Sequence, residues 1–144
     1  MILKAGPEPI IWALDSLNTV GGNPVELLGS PRVIQTEDGE AVQFDGLDDA
    51  LRLGVNPLAG MEQFTVEVVF RPEAGGEREQ RFLHFQQAAE HRVLIETRLT
   101  EDGQWFLDTF MKAEDSERTL FAKDHLHSLD EWHHAALTYD GKRM

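Results

Sequence analysis

Trp132-His133-His134-Ala135-Ala136-Leu137-Thr138-Tyr139-Asp140-Gly141 decides how this chain is read. Strand period two puts His133, Ala135, Leu137 and Tyr139 on one face and His134, Ala136 and Thr138 on the other. The Asp-Gly pair then ends the run in a turn. Working back from it, Val66 to Phe70 is a second strand, with Val66, Val68 and Phe70 toward the core and Glu67 and Val69 opposite. A loop broken by Pro72 and the pair Gly75-Gly76 follows it. Arg81 to Gln86 and Arg92 to Leu99 are the next strands, and the Asp102-Gly103 hairpin signal turns the chain into Trp105 to Lys112. The segments 75–80 and 113–117 read as loops, and Pro57 to Met61 as a short helical turn. Several short strands between turn signals, with little helical periodicity, predict an all-β two-sheet antiparallel sandwich or jelly roll.

The chain has 144 residues and 41% hydrophobic side chains, enough for one domain with a real core. It carries 13 Lys and Arg against 26 Asp and Glu, a net charge of -13. Such a field repels phosphate backbones and anionic lipid, which argues against nucleic acid or membrane as partner. It also disfavours strongly anionic polysaccharides unless a local basic patch overrides it. There is no cysteine, so disulfides, thiolate ligands and thiol nucleophiles are excluded. The opening Met1-Ile2-Leu3-Lys4-Ala5-Gly6-Pro7 has no apolar stretch and no cleavage site. Cytoplasmic location and processed secretion both stay open.

A second stretch, Ala41-Val42-Gln43-Phe44-Asp45-Gly46-Leu47-Asp48-Asp49, completes a pair with Glu131 to Gly141. Together they resemble the signatures of the laminin-G-like branch of the concanavalin A-like lectin/glucanase superfamily. In that branch an A-x-x-F-D-G-x-D-D turn precedes the first core strands, and an x-W-H-H-x-A-x-T-Y-D-G strand follows well downstream. The resemblance implies a jelly-roll sandwich spanning residues 1–144 as a single domain. It also implies that C-terminal strands are lacking, because in the family further strands follow the Tyr-Asp-Gly turn. Ile10 to Asp15 resembles the opening strand, which implies a core position for Trp12, and Trp132 and His133 are expected in the core as well.

The resemblance implies a module that binds carbohydrate or a protein surface. A retaining glycosidase needs two carboxylates about 5 Å apart, which the superfamily's enzymes supply as Glu-x-Asp-x-x-Glu. That run and the Gln-x-His run of a related lyase family are both missing. An improvised acid/base set of His84, Glu96 and Asp108 keeps a glycan-active hydrolase or lyase as an alternative. A structural assembly domain, pairing with a second copy through an open sheet edge, is another. The ligand-binding candidates are His84, Arg92, Glu96, Arg98, Asp108 and His134, with Trp105 either an exposed stacking platform or a hairpin staple. Glu96 and Arg98 share a face, as do Asp108 and Lys112, which would give a cross-strand surface ladder worth about 0.2–1 kcal/mol.

No cofactor is required by this reading. Asp45, Asp48 and Asp49 in one turn could hold calcium, or cap backbone amides instead. His125-x-His127 on a strand would put two imidazoles on one face, a geometry zinc or nickel can use, and His133-His134 bring the imidazoles of this stretch to four.

Overall fold

The computed structural model describes residues 1–4 and 8–144. The chain is all-β, of β-sandwich character, with antiparallel pairing between strands and no helix among the described residues. It divides into two compact units, Met1–Val68 with Ala135–Arg143, and Val69–His134.

The first unit holds β1 (Ile2–Lys4), β2 (Ile10–Ile11), β3 (Thr19–Val20), β4 (Asn23–Leu28), β5 (Arg32–Thr36), β6 (Gly39–Gln43) and β7 (Ala50–Leu53). It also takes most of β8 (Phe64–Phe70) and of β14 (His133–Tyr139). One sheet runs β14-β8-β1-β2, a second β3-β4-β7, and β5-β6 is a separate hairpin. Leu3, Val20, Phe64, Val66, Val68 and Leu137 are buried. The alternation expected of β14 holds: Leu137 is buried while His134, Ala136 and Thr138 are exposed. Trp12 is buried as expected, lying so close to Gly21 that a Cβ there would meet its Nε1 at 2.1 Å. The segment 57–61 is not a helix. It makes two tight turns, closed by Ala59 N–H to Asn56 O (3.2 Å) and Met61 N–H to Leu58 O (3.1 Å).

The second unit is a five-stranded sheet of β9 (Glu79–Ala88), β10 (His91–Leu99), β11 (Gln104–Ala113), β12 (Ser116–Phe121) and β13 (His127–Ser128). Its order is β12-β11-β10-β9, with β13 pairing β11 beyond the end of β12. The Asp102-Gly103 hairpin forms as expected, with Gly103 at φ 74 and Thr100 N–H donating to Gln104 O at 2.8 Å. The two expected loops are shorter than the sequence suggested. Glu79 and Gln80 already belong to β9, while Ser116 and Glu117 open β12 after a turn in which Glu114 takes φ 53.

One face of this sheet is the unit's core: Phe85, Val93, Ile95, Thr97, Trp105, Thr109 and Met111 are buried on it. The ring contacts centre on Trp105, whose indole lies 5.2 Å from Phe70 and 4.9 Å from His133, edge to face. Such packing adds about 0.5–1.5 kcal/mol per pair to the burial itself. The other face carries the polar residues.

Candidate functional site

Register places four rows across the polar face. Gln86, Arg92, Lys112 and Glu117 form the first, and His84, Leu94, Phe110 and Thr119 the second. Arg81, Glu96, Asp108 and Phe121 form the third, and Glu79, Arg98 and Phe106 the fourth. The candidates His84, Arg92, Glu96, Arg98 and Asp108 thus come together on one surface.

The third row depends on a β-bulge. Ile95 pairs with Leu83 but Glu96 pairs with Arg81, so Phe82 is an extra residue on β9. A bulge re-aims the side chains that follow it. Here it sends Arg81 and Glu79 to the side of Glu96, while Phe82 stacks on Phe70 at 4.4 Å. Simple alternation counted back from His84 would have put both on the core side, so neither residue was found from sequence.

At the centre of the face, the Arg98 guanidinium donates to Glu96 Oε1 (2.8 Å) and Asp108 Oδ2 (2.8 Å), and pairs with Glu79. Arg81 Nε donates to Glu96 Oε2 at 3.1 Å. This corrects the expected surface ladder. Glu96 and Asp108 are each only 4% exposed, and Lys112 stands apart from them, paired with Glu90 at 3.5 Å. Burial works against the charge on Arg98, but the bond to Asp108 and the charge of Glu96 outweigh it and raise its pKa above the ordinary value. The Glu96 and Asp108 oxygens each lie 2.8 Å from the same Nη2 nitrogen, and so within twice that distance of each other.

An exposed ring flanks the cluster. Phe121 is 51% exposed, opposite Asp108 on β12, and meets Phe106 edge-on at 4.9 Å. Sequence patterning does not reveal it, because 113–117 reads as a loop and β12 is a short strand that overlaps its end. The Leu120-Phe121 pair was the available signal. His84 is exposed on this face, and burial, then the charges of Arg92 and Arg81, hold its pKa below the ordinary value, so it is neutral at pH 7.

The structure decides between the two readings of Trp105 and overturns the expectation for Trp132. Trp105 is the staple: 2% exposed, on the core face, with Nε1 donating to Ser128 O at 2.8 Å. It is therefore no stacking platform. Trp132, expected in the core, is 43% exposed, with the Arg71 guanidinium 5.4 Å over its ring. His133 does pack on Trp105, and its Nε2 donates to the same Ser128 carbonyl at 2.8 Å. His134 is exposed at the start of β14 and does not belong to the four rows.

The acidic turn has the capping arrangement. Asp45 Oδ1 accepts from the amides of Leu47 (2.8 Å), Asp48 and Asp49 (3.2 Å each), which hold its carboxyl below the usual range. Asp49 accepts from Ser30 N–H and Asp45 N–H. One oxygen from each of Asp45, Asp48 and Asp49 still lies within 4.8 Å of the others, and no other group of three ligating side chains comes together among the described residues. His127 is in β13 but His125 lies in the preceding turn, so the two do not share a strand face. No family model, curated protein or solved structure matches the chain.

Proposed function

We propose that the polar face of the β9–β12 sheet is the binding surface of a non-catalytic jelly-roll module of laminin-G-like type, and that it takes carbohydrate. The observation carrying this reading is the exposed Phe121 ring beside a rigid cluster of Glu96, Arg98 and Asp108. Sugar recognition needs an aromatic surface for the apolar side of a pyranose and fixed planar hydrogen-bonding groups for its hydroxyls. Carboxylates held by guanidinium groups supply acceptors in set directions, with the partly exposed Arg98 and Arg81 as donors. Burying two carboxylates costs folding free energy even when they are paired, so the cluster is weakly explained by stability alone.

The test is a glycan array on the purified chain, followed by titration of the best ligand against Phe121→Ala. Loss of at least tenfold in affinity with an unchanged melting temperature supports the reading. An array without any retained glycan sinks it, as does a Phe121→Ala variant that binds like the parent. Selective capture of a protein in place of glycans would transfer the same face to protein recognition. Turnover of a bound glycan, abolished by Glu96→Gln or Asp108→Asn, would establish the hydrolase or lyase alternative.

A further inference from the structure

Arg92 differs from the other arginines of the polar face. Arg81 and Arg98 are neutralised by Glu79, Glu96 and Asp108, and the neighbouring Lys112 by Glu90. The Arg92 guanidinium instead lies 5.0 Å over the Phe110 ring, and no ion pair ties it to any described carboxylate. Its Nε is buried and finds no acceptor among the protein's atoms. In a chain of net charge -13, a cation on a sheet face without an ion pair of its own is a local exception to the field, the nearby Glu90 being paired with Lys112. The cation–π contact with Phe110 restrains the guanidinium and leaves its terminal N–H groups as a fork suited to a carboxylate. Leu94 and Phe110 form an apolar strip one row away, and the Glu96–Arg98–Asp108 cluster with Phe121 begins in the row beyond. Strand residues two apart lie about 6–7 Å along the sheet, so the span from Arg92 to Phe121 suits two or three linked sugars.

We propose that Arg92 receives the carboxylate of a uronic-acid residue, so that the ligand of this face is an acidic oligosaccharide with one sugar at Arg92 and the next toward Phe121. The inference rests on the carbohydrate-binding reading and adds the ligand's chemical class. Neutral His84, opposite Leu94 on β9, faces the same row and is a hydrogen-bonding group for a ring hydroxyl that does not compete with Arg92 for the acid. Because Arg92 is the one cation of this face without an ion pair among the described residues, the face suits scattered carboxylates better than a dense polyanion, which the net charge would repel.

The experiment titrates the chain by calorimetry with trimers containing galacturonate, mannuronate or glucuronate, each as free acid and as methyl ester, at low and moderate salt. The parent is expected to prefer one free acid over its ester by roughly ten- to hundredfold, the range of a charge-assisted hydrogen bond. Arg92→Gln should erase that preference by lowering the acid's affinity to that of the ester, whereas Phe121→Ala should weaken acid and ester together. Melting curves check that both variants fold. Equal binding of acid and ester, or an unaltered preference in Arg92→Gln, overturns the assignment of Arg92 while leaving a sugar-binding face in place. Absence of any trimer binding, together with an empty glycan array, removes the sugar reading itself. An Arg92-dependent preference for a glutamate-rich peptide over every trimer refutes the uronate and assigns the site to acidic protein segments.

Discussion

Removing Arg98 should destabilise this protein far more than losing a surface ion pair would. The side chains of Glu96 and Asp108 are only 5% and 6% exposed, and they face each other across paired strands. Arg98→Met leaves these two carboxylates buried without their shared partner. Breaking a buried pair from one side costs about 3–5 kcal/mol. Two features pull the value to the low end: Arg81 still reaches Glu96, and the Arg98 side chain is itself 21% exposed. We therefore expect a loss of about 3 kcal/mol at pH 7, against at most about 1 kcal/mol for an exposed pair. Urea unfolding followed by the emission of buried Trp105 reads this directly. With a slope of about 2 kcal/mol per molar urea, the midpoint should fall by about 1.5 M. The triple variant Glu96→Gln, Asp108→Asn, Arg98→Met, which has no charge to strand, should recover most of the loss. A midpoint shift below about 0.5 M for Arg98→Met would mean that water solvates the cluster and that the burial argument is mistaken.

Two further outcomes follow from side-chain placement. Gly21→Ala should lower stability by at least about 2 kcal/mol, because its Cβ would sit 2.1 Å from Trp12 Nε1 at a φ of +56; a melting curve matching the parent's would contradict that packing. Acrylamide should quench the emission of Trp132, which is 43% exposed, while sparing Trp12 and Trp105, so that Trp132→Phe removes most quenchable signal; quenching that survives this change would put Trp12 or Trp105 in solvent.

The division between what was legible in the sequence and what was not follows the range of the interactions involved. Strand positions β8 to β11 and β14, the Asp102-Gly103 turn and the inward set of β14 rest on local rules: period-two alternation, turn chemistry and β-branched or aromatic runs. The same rules place Arg92, Glu96 and Arg98 on one side of β10. Tertiary structure decided everything that needed to know a strand's partner. An extra residue at Phe82 brought Arg81 and Glu79 into the cluster, and no period count contains that bulge. Cross-strand register set Asp108 against Glu96 and turned an expected surface ladder into a buried one. Trp105 and Trp132 could not be told apart by type or pattern, since an indole is equally at home in a core or at a surface. A carbonyl at Ser128, 23 residues from Trp105 in sequence, offered its nitrogen a partner and made that one the staple. Phe121 became an exposed ring because β12 is an edge strand, exposed along its whole length. Composition and alternation therefore determined the class of fold and the strands that carry the site. Long-range pairing determined which side chains are buried, which are charged neighbours, and which ring stays exposed, because those depend on contacts between residues far apart in the chain.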